Sequence, residues 1–224
     1  NNVTAFLADP RTDFHTNEFG HHNVVNEMLK LHYRLFIRNY VNTRPVEGKV
    51  YLERFTNLVM ANRAHLHLLM KNYFTTKTWL LFKDNGMKLS KDEFTEQFTA
   101  IWDAMGTSER IRNAAEELLQ ELIISDETIY QLVLLFTGTF DVTLVLFMRY
   151  FVNIGCHCIA YVGTAHIDRI SPFVHLISPH MRVLHHVGFH STGEPQCFHI
   201  DTEALATHDI RENRTLSARR RVLR

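Results

Sequence analysis

Cys156-His157-Cys158-Ile159-Ala160-Tyr161-Val162-Gly163-Thr164-Ala165-His166 is the stretch whose reading decides the fold. From Cys156 to Val162 it has the length and the apolar composition of a strand. Gly163 then lets the backbone turn sharply and approach a neighbour or ligand. The spacing therefore predicts a strand with His166 at its carboxyl end. In an open α/β sheet that edge is where ligands bind, which puts an imidazole in a place suited to chemistry.

Outward from this stretch the chain reads as a helical middle between short strands. Residues 3–8 are strand-like and run into the turn Asp9-Pro10-Arg11-Thr12-Asp13. Val24, Met28, Leu31, Leu35 and Phe36 recur at helical spacing over residues 23–41, and a second periodic segment covers residues 48–74. The two form an expected helical hairpin around Pro45. Ser90-Lys91-Asp92-Glu93 is a capping box that opens a helix through Phe94, Phe98, Ile101 and Trp102. Another helix is expected from Ser108. Asp126 and a corner at Gly138 to Asp141 delimit two further apolar helices.

Beyond His166, residues 167–177 allow a short helix with Pro172 near its first turn, and residues 181–187 a further strand. The fold class expected is α-rich α/β, with a small, mostly parallel sheet carrying a strand-Gly-x-x-His-helix element. Three segments follow. Residues 1–137 hold the leading strand and the helices, residues 138–203 the βαβ-like part, and residues 204–224 a polar, basic tail.

A chain of 224 residues, 46% hydrophobic, buries a sizeable core. Its 24 basic and 24 acidic side chains balance, so there is no strong nucleic-acid signal and no global attraction to a charged surface. The longest apolar stretch, residues 129–154, is interrupted by Gly138, Asp141, Arg149 and Asn153, which makes it a poor membrane span. Three cysteines are too few for a disulfide framework, and no signal-peptide pattern is seen. The opening Asn-Asn suggests a piece of a longer protein.

Nine of the 15 histidines fall between His157 and His208, uneven enough to ask for a metal or catalytic site. His166 is the leading candidate for both. Asp168 is the nearby carboxylate expected to share a metal with it. Asp141 is either a helix cap or a carboxylate aimed at the His166 edge, and as the latter it joins His166 as a catalytic candidate. His65 and His67 diverge by about 200° on a helix and share no site there. Cys156 and Cys158 face one side of the expected strand, which permits metal binding but more commonly means two small buried side chains. No phosphate-binding glycine loop or serine-nucleophile elbow is present.

The strand running into Gly163-Thr164-Ala165-His166 resembles the Gly-x-x-His element of the TraB/Tiki, erythromycin-esterase and ChaN-like superfamily. Phe140-Asp141-Val142, followed by this element and an aliphatic helix, is similar in pattern to the carboxyl-terminal part of uncharacterised giant DNA virus proteins. The opening residues 3–11 are similar to the strand with which those proteins enter their helical middle. The resemblance implies two histidine elements for an active member, and this chain shows the one like the second. It has Phe147 where the viral relatives carry an arginine.

On that resemblance the expected function is a virion-associated or structural scaffold with a hydrolase-like fold, located in the virion or host cytoplasm. The alternative is the carboxyl-terminal half of a metal- or histidine-dependent hydrolase of esterase or metalloprotease type. A divalent metal is expected only if another segment completes the site, because one histidine and one carboxylate leave the coordination shell half empty. The expected partners are other protein subunits or an amino-terminal half. The aromatic residues of residues 20–137, among them Tyr33, Phe55, Tyr73, Trp79 and Trp102, suggest that this segment provides the interface.

Overall fold

In a computed structural model, residues 24–36, 45–120, 126–160 and 162–181 are described. All lie in one of two compact units, residues 1–186. The expected strand at residues 3–8, most of the one at residues 181–187, and the tail at residues 204–224 lie outside the described residues.

The described residues form seven α-helices and no strand, which corrects the expected α/β class, its parallel sheet and its hydrolase-like fold. They are α1 (Val24–Phe36), α2 (Pro45–Asn62), α3 (Leu66–Asp84), α4 (Lys91–Ala104), α5 (Thr107–Gln120), α6 (Asp126–Asn153) and α7 (Thr164–Ile170), followed by a 3-10 helix, Ser171–Leu176. Pro172 sits in the first turn of that last element, where a missing N–H costs no helical bond.

Two features explain why the 156–163 stretch is not a strand. Helix α6 ends at Gly155, whose φ of 81° is left-handed. The Cys156 N–H bonds back to Phe151 O and the Gly155 N–H to Val152 O, the paired bonds of a Schellman stop. The chain leaves this stop along the surface: residues 156–160 are all exposed, and Ile159 is 99% exposed. Strand composition without a neighbouring strand gives no ladder. Cys156 and Cys158 are accordingly free and exposed rather than small buried side chains.

Helix α6 is a second correction. Gly138 and Asp141 were expected to mark a corner between two helices, yet one helix of 28 residues runs through both, about 42 Å of continuous axis. The expected segment boundary at residues 137/138 falls within it. A single glycine in a long apolar helix costs only about 1 kcal/mol relative to alanine, far less than the packing on either side supplies. Helix α6 is the axis of the fold, packing against α1, α3, α4, α5 and α7. Long as it is, no helix among the described residues is both long and apolar enough to cross a membrane.

The expected 48–74 helix is in fact two. Asn62 turns its amide back onto Leu58 O, His65 N bonds to Asn62 O, and α3 restarts with His65 at its amino-terminal cap. Helix α3 itself stops at Gly86, φ 71°, with Met87 N bonded to Phe82 O and Gly86 N to Lys83 O.

Helix α4 forms as the sequence predicts. Ser90 Oγ accepts from the Glu93 N–H at 3.2 Å, and Glu93 Oε2 accepts from the Ser90 N–H at 3.0 Å. Its buried residues are Phe94, Phe98, Ile101 and Trp102, one stripe at helical spacing. Phe94 stacks on Phe98 and Phe98 on Trp102, at 6.0 and 5.8 Å. Phe82 of α3 meets Phe94 at 5.1 Å and Phe147 of α6 at 4.6 Å, so an aromatic spine links three helices. Each such ring contributes about 1.5–3 kcal/mol on burial. The Trp102 indole N–H donates to Ser108 Oγ at 2.8 Å. Ser108 thus anchors an indole, and α5 starts one residue earlier than expected. Phe55, Phe74, Phe94, Phe98 and Trp102 are fully buried within the chain, which removes their surplus as grounds for an interface.

Candidate functional site

Asp141 lies near the middle of α6 with no solvent exposure at all. A carboxylate in that position needs partners, because taking a charged group out of water is costly unless it is hydrogen-bonded. Helix α7 supplies them. Gly163 is its amino-terminal cap and accepts from the His166 N–H at 2.9 Å, which fixes His166 in the first turn. Arg169 follows three residues later and so shares a helix face with His166. Both reach Asp141: His166 Nδ1 is 2.5 Å from Oδ1, and Arg169 Nε donates to Oδ2 at 2.6 Å.

This pairing selects a tautomer. Oδ1 is an acceptor, so the bond is satisfied when Nδ1 carries the proton, and the lone pair then resides on Nε2. Arg169 Nη2 lies 3.2 Å from Nδ1; with the proton on Nδ1 both are donors, so Asp141, not a bond between the two side chains, holds them together. The side chains of His166 and Arg169 each keep 18% exposure, so the cluster is roofed rather than sealed.

Arg110 of α5 is the fourth member. Its guanidinium lies over Gly138, one turn before Asp141; a β-carbon there would be 3.8 Å from both Cζ and Nη2. Burial pushes the Arg110 pKa below the usual arginine range; the Asp141 charge opposes that and the Arg169 charge adds to it. Arg110 Nε and Nη2 are buried with no hydrogen-bond partner.

Of the residues expected at the site, Asp141 and His166 are therefore together, 25 positions apart in sequence. The cap expected of Asp141 is absent, because the residue is interior to α6. His166 stands on a helix rather than at a strand end. Asp168 is exposed on the same helix, directed about 200° around the axis from His166. Among the described residues no group of three His, Cys, Asp or Glu side chains is placed to hold a metal ion. Sequence reading missed Arg169 and Arg110. The first was findable from its three-residue offset from His166; for the second there was no sequence signal.

No family model, curated protein or solved structure matches this chain. Neither the Gly-x-x-His superfamily nor a viral or virion origin thus gains support from a relative.

Proposed function

We propose that the chain contributes a histidine-dependent hydrolytic site in which His166 is the general base. One observation carries this reading: a fully buried carboxylate holds His166 through Nδ1, and Nε2 makes no hydrogen bond with the described residues. An imidazole so oriented accepts a proton from water at Nε2 as the water oxygen attacks an ester carbonyl, and then returns that proton to the leaving oxygen. Asp141 holds the ring and its tautomer and stabilises the imidazolium. Arg169 holds Asp141.

The test is turnover of p-nitrophenyl acetate by the whole chain. His166→Ala is expected to lower the rate by about a hundredfold or more, and Asp141→Asn to lower it while leaving the helical content intact. Equal turnover by wild type and His166→Ala overturns the reading.

A second reading is favoured by a different observation. Arg169 takes the other oxygen of Asp141, so the same bonds fasten α7 to α6. In that case the chain is a helical scaffold within a larger assembly and the cluster is a tertiary fastener. Its signature is a loss of stability in His166→Ala with no rate to lose.

A further inference from the structure

The unsatisfied group of this cluster is Arg110. A guanidinium presents pairs of parallel N–H groups, and Nε with Nη2 form one such edge, the geometry that grips a carboxylate or phosphate through two oxygens. In Arg110 both atoms of that edge are buried and unpartnered. Asp141, whose charge acts on Arg110, accepts from His166 and Arg169 and not from the Nε–Nη2 edge of Arg110. Two guanidiniums therefore share one carboxylate, and the cluster is left with positive charge and two parallel donors without acceptors.

Burying donors without acceptors is costly, and more so when the group is charged. A structural arginine avoids that cost by finding an acceptor for each donor, whereas Nε and Nη2 of this one have none. We propose that the Nε–Nη2 edge of Arg110, backed by the charge of Arg169, binds an oxyanion, a carboxylate or phosphate group carried by the ligand of the His166 site. Arg110 as a residue is only partly buried, and Gly138 leaves its α6 side without a β-carbon. As a statement about substrate this rests on the hydrolytic reading, and it then narrows the substrate to an anionic ester; as a statement about binding it stands on Arg110 alone.

The experiment is thermal unfolding of the whole chain with increasing inorganic phosphate and, separately, sodium acetate. One of the two is expected to raise the Tm of the wild type, and which one does so identifies the anion class. Arg112→Gln, an exposed arginine on the same helix, keeps that shift. Arg110→Gln loses it by about tenfold or more in apparent affinity, and without ligand melts at or above the wild type, since it removes an unpaired buried cation. Should Arg110→Gln fold poorly, Arg110→Lys keeps the charge but not the edge and must lose the shift too. The proposal is overturned if neither anion moves the wild-type Tm, or if the shift persists in either folded Arg110 variant. His166→Ala separates the two readings: it abolishes hydrolysis yet retains the anion-induced shift. Anion binding without any hydrolysis defeats the hydrolytic reading alone, and hydrolysis without anion binding defeats this one alone.

Discussion

Helix α6 has two working surfaces that are held to the rest of the molecule by different physics. Along the aromatic spine, Phe147 and Tyr150 meet Phe82 at 4.6 and 5.2 Å, and burial does the binding. At the polar cluster, Asp141 meets α7 through two directed, charge-assisted bonds of 2.5 and 2.6 Å. Burial is non-directional and is spread over many side chains, so the spine depends on volume and spacing. The cluster depends on which atom faces which. A fold can obtain its stability from the first and its chemistry from the second on one helix when the two surfaces fail independently.

The largest expected effect is on the spine. Trp102→Ala removes a fully buried ring and the Ser108 hydrogen bond, and denaturant unfolding should show a loss of about 3–5 kcal/mol. A loss under about 1 kcal/mol would remove the spine from its role as the core. Next, Asp141→Ala should cost about 2–3 kcal/mol, less than the about 3–5 of a fully buried pair, because both partners retain 18% exposure. If the two surfaces are independent, combining it with Trp102→Ala gives additive losses.

Ser90→Ala should cost about 1 kcal/mol by deleting the α4 cap. Its partner adds a pH signature. The Ser90 side-chain and backbone donors hold Glu93 below its usual pKa. The stabilisation is therefore complete above the ordinary carboxylate range and fades as pH falls through the depressed value. Acid titration of Tm in wild type and Glu93→Gln should converge at low pH.

The smallest effect should run the other way. Gly138→Ala places a β-carbon in ordinary contact with Arg110 and should stabilise α6 by up to about 1 kcal/mol through helix propensity. A loss instead would mean that the space over Gly138 is needed by the guanidinium.

What the sequence discloses follows the same division. The α4 stripe and its capping box are legible because period and cap are local properties, both satisfied within residues 90–102. The pairing of Asp141 with His166 was legible only as one of two options, and a helix cap was the commoner use of such an aspartate. Its actual use depended on Gly138 failing to break α6, a decision made by packing on five neighbouring helices. The 156–163 stretch misled because apolar composition reports a wish to be buried or paired. No partner strand stands beside it among the described residues. Arg110 was illegible because it reaches the cluster from another helix, with no spacing rule to connect it.

The two tryptophans of the chain give this division an optical consequence. Trp79 lies against Phe94 and Trp102 against Phe98, so both chromophores sit in the spine, and neither is among the side chains bonded to Asp141. Intrinsic emission is therefore a reporter of one surface of α6 and silent about the other. A detachment of α7 that frees His166 would leave the emission spectrum unchanged while its backbone amides begin to exchange with deuterium. Fluorescence and hydrogen exchange, recorded on the same sample, would then return two different unfolding free energies, and the gap between them measures how firmly the histidine is held.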